Sequence, residues 1–148
     1  DRGELFFAEK VILVEGQTDK VIIHALADKL RIFKYGYTII DCGSKGNIPL
    51  YIRLLNKFSI PYVVVYDKDH QQNKKVDAIN TADATTKLIL DEIDDELGIS
   101  IELVNDIEEE LGYESGKSGK PFQALQRIKS DEFELSASFE EKIGKIYQ

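Results

Sequence analysis

Apolar residues along the chain fall into short continuous runs separated by stripes at helical spacing. Val11–Val14 is apolar throughout and β-branched at three of its four positions. Such a run predicts a strand buried on both faces. In Asp19–Leu30, the residues Val21, Ile22, Ala25, Leu26 and Leu30 recur on one helical face. Tyr37–Ile40 predicts a second strand. Ile48, Tyr51, Ile52, Leu55 and Phe58 form a second stripe, with Asn47 placed to cap its helix. Pro61 opens a third strand, Tyr62–Tyr66. The order β-α-β-α-β with short links is the pattern of a parallel sheet covered by helices on both faces. Before it, Leu5, Phe6 and Phe7 of the Asp1–Glu9 lead-in are expected to pack under the sheet edge.

The pattern is looser in the second half. Gln71–Thr81 is polar and reads as an exposed loop. Asp83–Leu97, with Leu88, Ile89, Ile93 and Leu97, predicts a helix ended by Gly98. Ile99–Val104 alternates as a fourth strand, and Asn105–Leu111 reads as a short acidic turn or helix. Tyr113–Lys120 is rich in glycine and serine. Pro121 suits the first position of a helix over Phe122–Ser130. Ser136 or Ser138 is placed to cap a final helix reaching Tyr147. The expected architecture is α/β: a parallel sheet of about four strands flanked by helices, then a helical C-terminal extension. The boundary is expected between residues 1–112 and 113–148.

Charge changes this picture at one place. The 148 residues carry a net charge of −8, but Asp83 to Glu114 alone holds twelve acids and one base. The simplest account of that block is a solvated face. An acidic protein does not hold nucleic acid by bulk charge. It can act on nucleic acid where divalent cations neutralise a carboxylate cluster. The single cysteine, Cys42, excludes an intrachain disulfide framework and suits a reducing cytoplasm. No apolar run approaches the ~18 residues of a membrane span, and no signal peptide is expected. The sequence has no methionine, even at position 1, so a piece of a longer protein is expected.

Three acidic sets follow predicted strands: Glu15 with Asp19, Asp67 with Asp69, and the run Asp106–Glu110. Carboxyl ends of parallel strands are where open α/β sheets place their sites. Hard divalent cations want oxygen ligands, and two-cation sites need several converging carboxylates. Glu15 and Asp67 could share such a site across neighbouring strands. Each set also has a plain alternative, since a strand-ending Asp often makes a turn or caps a helix. Gly16 suits a tight turn, and Thr18 or Asp19 could cap the following helix. Gly43, Ser44, Lys45 and Gly46 lack the spacing of a P-loop but could contact a phosphate. His70 adjoins the acids and could meet a phosphate or a bound water. His24 reads as a packing or surface residue and Cys42 as a buried small one.

Taken together, Val14-Glu15-Gly16-Gln17-Thr18-Asp19 and Asp67-Lys68-Asp69 resemble the Toprim domain of topoisomerases, primases, recombination proteins and certain nucleases. Within that group, three segments resemble the OLD (overcoming lysogenization defect) family of ATP-dependent endonucleases. They are Gly3 to Gly16, Asp106 to Leu111, and Gly119-Lys120-Pro121-Phe122-Gln123-Ala124-Leu125. The resemblance implies a Toprim-like fold and a DNA endonuclease or nickase using two divalent ions, Mg²⁺ or Mn²⁺. It implies Glu15, Asp19, Asp67, Asp69 and Glu108 as metal ligands, with Glu15 and Lys120 catalytic. It further implies an N-terminal ATPase domain, where ATP would bind, and DNA as substrate; a homo-oligomer stays open. Many members carry Glu at the position of Asp19, and the topoisomerase pattern has a glycine soon after Asp-x-Asp where this chain has His70-Gln71-Gln72-Asn73. The first departure makes that ligand shorter, and the second favours the nuclease branch over a primase or topoisomerase part. A non-catalytic metal- or protein-binding module is the remaining alternative.

Overall fold

The computed structural model describes residues 2–112 and 120–148. Four strands, β1 (Lys10–Val14), β2 (Tyr37–Asp41), β3 (Tyr62–Asp67) and β4 (Gly98–Leu103), form one sheet. Their spatial order is β2-β1-β3-β4, and every pairing is parallel. Helices α1 (Gln17–Lys29), α2 (Ile48–Lys57) and α3 (Val76–Glu92) connect them. The helices α4 (Ile107–Glu110), α5 (Lys120–Lys129) and α6 (Ala137–Ile146) follow.

The sheet's alternation sorts the core into two layers. Ile12, Val14, Val63 and Val65 face α1, α5 and α6, meeting Ile22, Leu26, Ile128 and Phe139. Val11, Leu13, Val64 and Tyr66 face α2 and α3, meeting Ile48, Ile52, Leu55 and Ile89. The central strands β1 and β3 are therefore buried on both sides, as continuous apolar runs require. The edge strand β4 alternates, with Ile99 exposed and Ile101 buried.

The acidic loops meet at the carboxyl end of this sheet, and hydrogen bonds fix their approach. Val14 pairs with Asp41 and Asp67 with Leu103. The loop after β3 is zipped to the loop after β4 through Asn105. Its carbonyl accepts the Asp69 N–H at 3.0 Å, and its Oδ1 accepts the His70 N–H at 3.1 Å. The Asn47 amide donates to the Cys42 carbonyl at 3.0 Å, closing the loop after β2.

Several boundaries differ from the sequence reading. Gln71–Thr81 is only partly loop, because α3 begins at Val76 and stops at Glu92 rather than Leu97. The early turns of α3 carry no buried apolar residue (its one buried side chain is Ile89), so no stripe marks them. Its end is fixed from outside, by the Asn56 amide donating to the Glu92 carbonyl at 2.9 Å. Asn47 makes no side-chain cap; a 3-10 turn, Lys45–Asn47, leads into α2 instead. Helix α6 is capped by Ser136, whose hydroxyl accepts the Phe139 N–H at 3.2 Å. Phe7 does not pack under the sheet edge: it is 92% exposed, and Phe6 only meets Phe58 edge-on at 5.2 Å. The Leu5 side chain and residues 113–119 lie outside the described residues. No described helix is long and apolar enough to cross a membrane.

Candidate active site

A cavity of about 700 Å³ opens where the loops after β1, β2, β3 and β4 converge. Glu15, Asp19, Asp67, Asp69 and Glu108 all line it, as do Gly43, Ser44 and Lys45. The register explains the meeting. Glu15 leaves β1 beside the end of β3, and its carboxylate accepts the Asp67 N–H at 2.6 Å across 52 residues of sequence. Asp19 sits in the first turn of α1 and accepts the Gly16 N–H at 2.9 Å. Gly16 itself is extended, with φ −153°, so the turn after β1 draws nothing from glycine's left-handed freedom. Gly43 does, at φ +84°.

Asp67 and Asp69 diverge from the simple extended geometry. Asp67 ends β3, while Asp69 adopts a left-handed backbone with φ +62°, which Asp tolerates better than most residues. The Asp69 carboxylate is met by two lysines. Lys74 Nζ lies 2.9 Å from Oδ1, and Lys45 Nζ lies 3.6 Å from Oδ2. Lys45 is buried, donates to the Asp67 carbonyl, and sits 5.6 Å from the centroid of the Tyr66 ring. The other Asp67 group stands in contrast: its Oδ1 is buried, and among the described residues no hydrogen bond reaches it.

The acidic run after β4 separates into distinct roles. Asp106 caps α4, its Oδ1 accepting the Glu109 N–H at 2.9 Å. Glu109 accepts from the Asn105 amide at 2.7 Å. Glu110 accepts the Val104 N–H at 2.8 Å and pairs with Lys142. Asp106 and Glu108 are buried and line the cavity. The remainder of the acidic block is largely solvated, as its composition suggests.

Burial, with crowding added to it, raises the proton affinity of Glu15, Asp19 and Asp67. Burial pushes Asp19 up to about 6, against the Gly16 N–H bond that favours its charged form, and the charge of Glu108 adds to the rise. Burial likewise pushes Glu15 up to about 7, with Asp69 and Asp19 repelling it and the Asp67 N–H and Lys45 opposing. Asp67 is raised furthest, by burial first and then by Glu15, Asp19 and Asp69. Buried like charges with too few counter-charges produce this pattern.

His70, His24 and Cys42 stand elsewhere. The His70 ring meets Asp83 of α3 at 2.5 Å and is not among the residues lining the cavity. Lys120 opens α5, and its side chain lies outside the described residues. Helix α5 packs on α1, and the Lys29 ammonium caps the Ile128 carbonyl at 2.6 Å where their C-terminal turns meet. His24 is exposed on α1 near Asp28, and Cys42 is buried. Among the cavity residues not singled out from sequence are Gln71, Asn73 and Lys74. The one available signal was Gln71's place two residues beyond Asp69, continuing the Asp-x-Asp spacing.

A parallel sheet in this order, with Glu after its first strand and Asp-x-Asp after its third, defines a Toprim-type α/β domain. The model of the Toprim domain of overcoming lysogenization defect protein-like proteins matches residues 6–69. Residues 6–69 are thus similar to an OLD-like Toprim domain. An OLD nuclease of Thermus scotoductus is 36% identical over 70 residues, covering 46% of this chain and 13% of that relative. The solved C-terminal region of the Burkholderia pseudomallei OLD protein is 20% identical, with a TM-score of 0.51, over 95% of this chain and 83% of that one. Its likeness shows the shared fold. The corresponding region of the Xanthomonas campestris pv. campestris OLD protein is 23% identical over 98% of this chain and 80% of that one, with a TM-score of 0.46.

Proposed function

We propose that the cavity is a divalent-cation site at which DNA phosphodiester bonds are hydrolysed, making this chain the nuclease part of an OLD-like ATP-dependent enzyme. The observation that carries the reading is the buried, unpartnered Asp67 Oδ1 amid carboxylates whose charged forms are disfavoured. An orphaned buried acceptor is costly unless an unseen water or ion meets it. As they stand, no three acidic, histidine or cysteine side chains among the described residues are drawn together tightly enough to cage an ion. Glu15, Asp19 and Asp69 are instead engaged by protein donors, which is how like charges without a cation settle. The donor set is nevertheless all oxygen and strongly anionic, which suits Mg²⁺ or Mn²⁺ rather than softer metals.

Glu15, Asp19, Asp67, Asp69 and Glu108 would hold the cations, two in number. Bound divalent cations supply Lewis-acid charge that orients the scissile phosphate and makes water a nucleophile at neutral pH. The chain's own groups do the rest. Lys45 places a fixed ammonium at the cavity wall, from which it can bind a phosphate oxygen. Gly43 and Ser44 present a short loop beside it. Glu15, with its raised proton affinity, is suited to take a proton from water. Lys120 is the candidate for stabilising charge that builds on the phosphate in the transition state. Helix α5 packs along α1 with their C-terminal turns together, which supports Lys120 at the end of α5 nearer the cavity. The ATPase partner domain, where ATP would bind, belongs to this proposal, because the curated relative extends far beyond the matched segment.

Supercoiled plasmid incubated with the protein in EDTA, Mg²⁺, Mn²⁺ or Ca²⁺ tests the proposal. Nicked or linear product is expected with Mg²⁺ or Mn²⁺ and not in EDTA. Equal product in EDTA, or none with any cation although the protein is folded and binds Mn²⁺, overturns it.

A further inference from the structure

A second orphaned oxygen belongs to a residue lining the same cavity. Gln71 Oε1 is buried with no hydrogen-bond partner among the described residues, as Asp67 Oδ1 is, and both residues line the cavity. The orientation of this amide is fixed by its other end. Gln71 Nε2 donates to Asp106 Oδ2 at 2.9 Å, while Asp106 Oδ1 accepts the Glu109 N–H. Both Asp106 oxygens therefore act as acceptors. An amide turned over would put its oxygen against that carboxylate, so the carbonyl oxygen must be the atom left without a donor. The surrounding backbone is held as firmly, since Asn105 takes the N–H groups of both Asp69 and His70. Buried acceptors left without a donor are satisfied by a cation or by a bound water.

We propose that Gln71 contributes a neutral oxygen to the divalent-cation site, and that Asp106 orients it rather than binding the cation itself. The proposal rests on reading the cavity as a cation site. It also divides the acidic run by function: Asp106 acts through Gln71, and its capping of α4 holds both in place. A neutral oxygen adds a ligand without adding to the carboxylate repulsion.

The test is Mn²⁺ titration by calorimetry on the intact chain and on Gln71→Leu, Gln71→Ala and Asp67→Ala, with melting in EDTA measured for each. Gln71→Leu keeps the shape and removes both polar atoms; Gln71→Ala is the second variant should that one not fold. The expected result is 10- to 100-fold weaker Mn²⁺ binding, the loss typical of disturbing a ligand or its orienting partner. The melting temperature in EDTA should stay near that of the parent. Parent-like Mn²⁺ affinity in the folded Gln71 variants, with binding lost in Asp67→Ala, overturns the role of Gln71 and leaves the cation site standing. No saturable Mn²⁺ binding by the parent overturns both.

Discussion

Replacing Asp19 with Asn should stabilise the cation-free protein. Asp19 is buried, and its proton affinity rises from 3.8 to about 6. That value already nets burial and the charges of Glu108 and Asp106 against the Gly16 N–H bond. At about 1.36 kcal/mol per unit, keeping Asp19 ionised near pH 8 costs the folded state about 3 kcal/mol. Asn removes the charge and retains an oxygen for the Gly16 N–H, held at 2.9 Å. A gain of about 2–3 kcal/mol follows, or roughly 6–10 °C in melting temperature for a chain of this size. The sign sets the pH dependence. Because the folded state holds this proton above pH 3.8 while the unfolded state releases it, the parent loses stability as pH rises from about 4 through about 6. The advantage of Asp19→Asn should thus shrink to under about 1 kcal/mol near pH 4. Melting followed by circular dichroism in EDTA, at pH 4 and pH 8, reads both. An Asp19→Asn protein that melts at or below the parent at pH 8, or a gap unchanged at pH 4, would refute the crowding argument.

Three further outcomes are expected. Lys120→Ala should keep Mn²⁺ and DNA binding yet nick plasmid about 10²–10³-fold more slowly; a near-parent rate, where Asp67→Ala is inactive, removes Lys120 from catalysis. Gly98→Ala should cost about 1–3 kcal/mol or more by denaturant melting, because a Cβ there would lie 2.1 Å from the buried Tyr62 ring. That ring cannot swing aside without losing its bonds to Asn56 and the Asp94 N–H. Ser136→Ala should cost about 1 kcal/mol, roughly 3–4 °C, through loss of the α6 cap.

The central strands were the most legible part of the sequence. Val11–Val14 and Tyr62–Tyr66 are continuous apolar runs because both faces are covered, and their carboxyl ends then fix where Glu15 and Asp67 emerge. The helix α3 was less legible because its early turns bury nothing, so polar residues there read as loop. Phe7 shows the converse, an aromatic that sequence places inside and the fold leaves exposed. Within the cavity, the sequence offered Lys45 as a candidate phosphate contact and gave no sign of a buried ammonium beside Asp69. That pairing depends on the distance between the loops after β2 and β3, which no local pattern encodes. Gln71 was hidden for the same reason: its meaning comes from Asp106, 35 residues away.

The central claim is that Asp67 and its neighbours cut DNA through divalent cations. Plasmid nicking in Mn²⁺ by the parent and by Asp67→Ala, compared at equal folded concentration with DNA binding measured alongside, tests it most directly. The account predicts cation-dependent nicking by the parent, and DNA binding without nicking by Asp67→Ala. Nicking by Asp67→Ala at the parent's rate would contradict it.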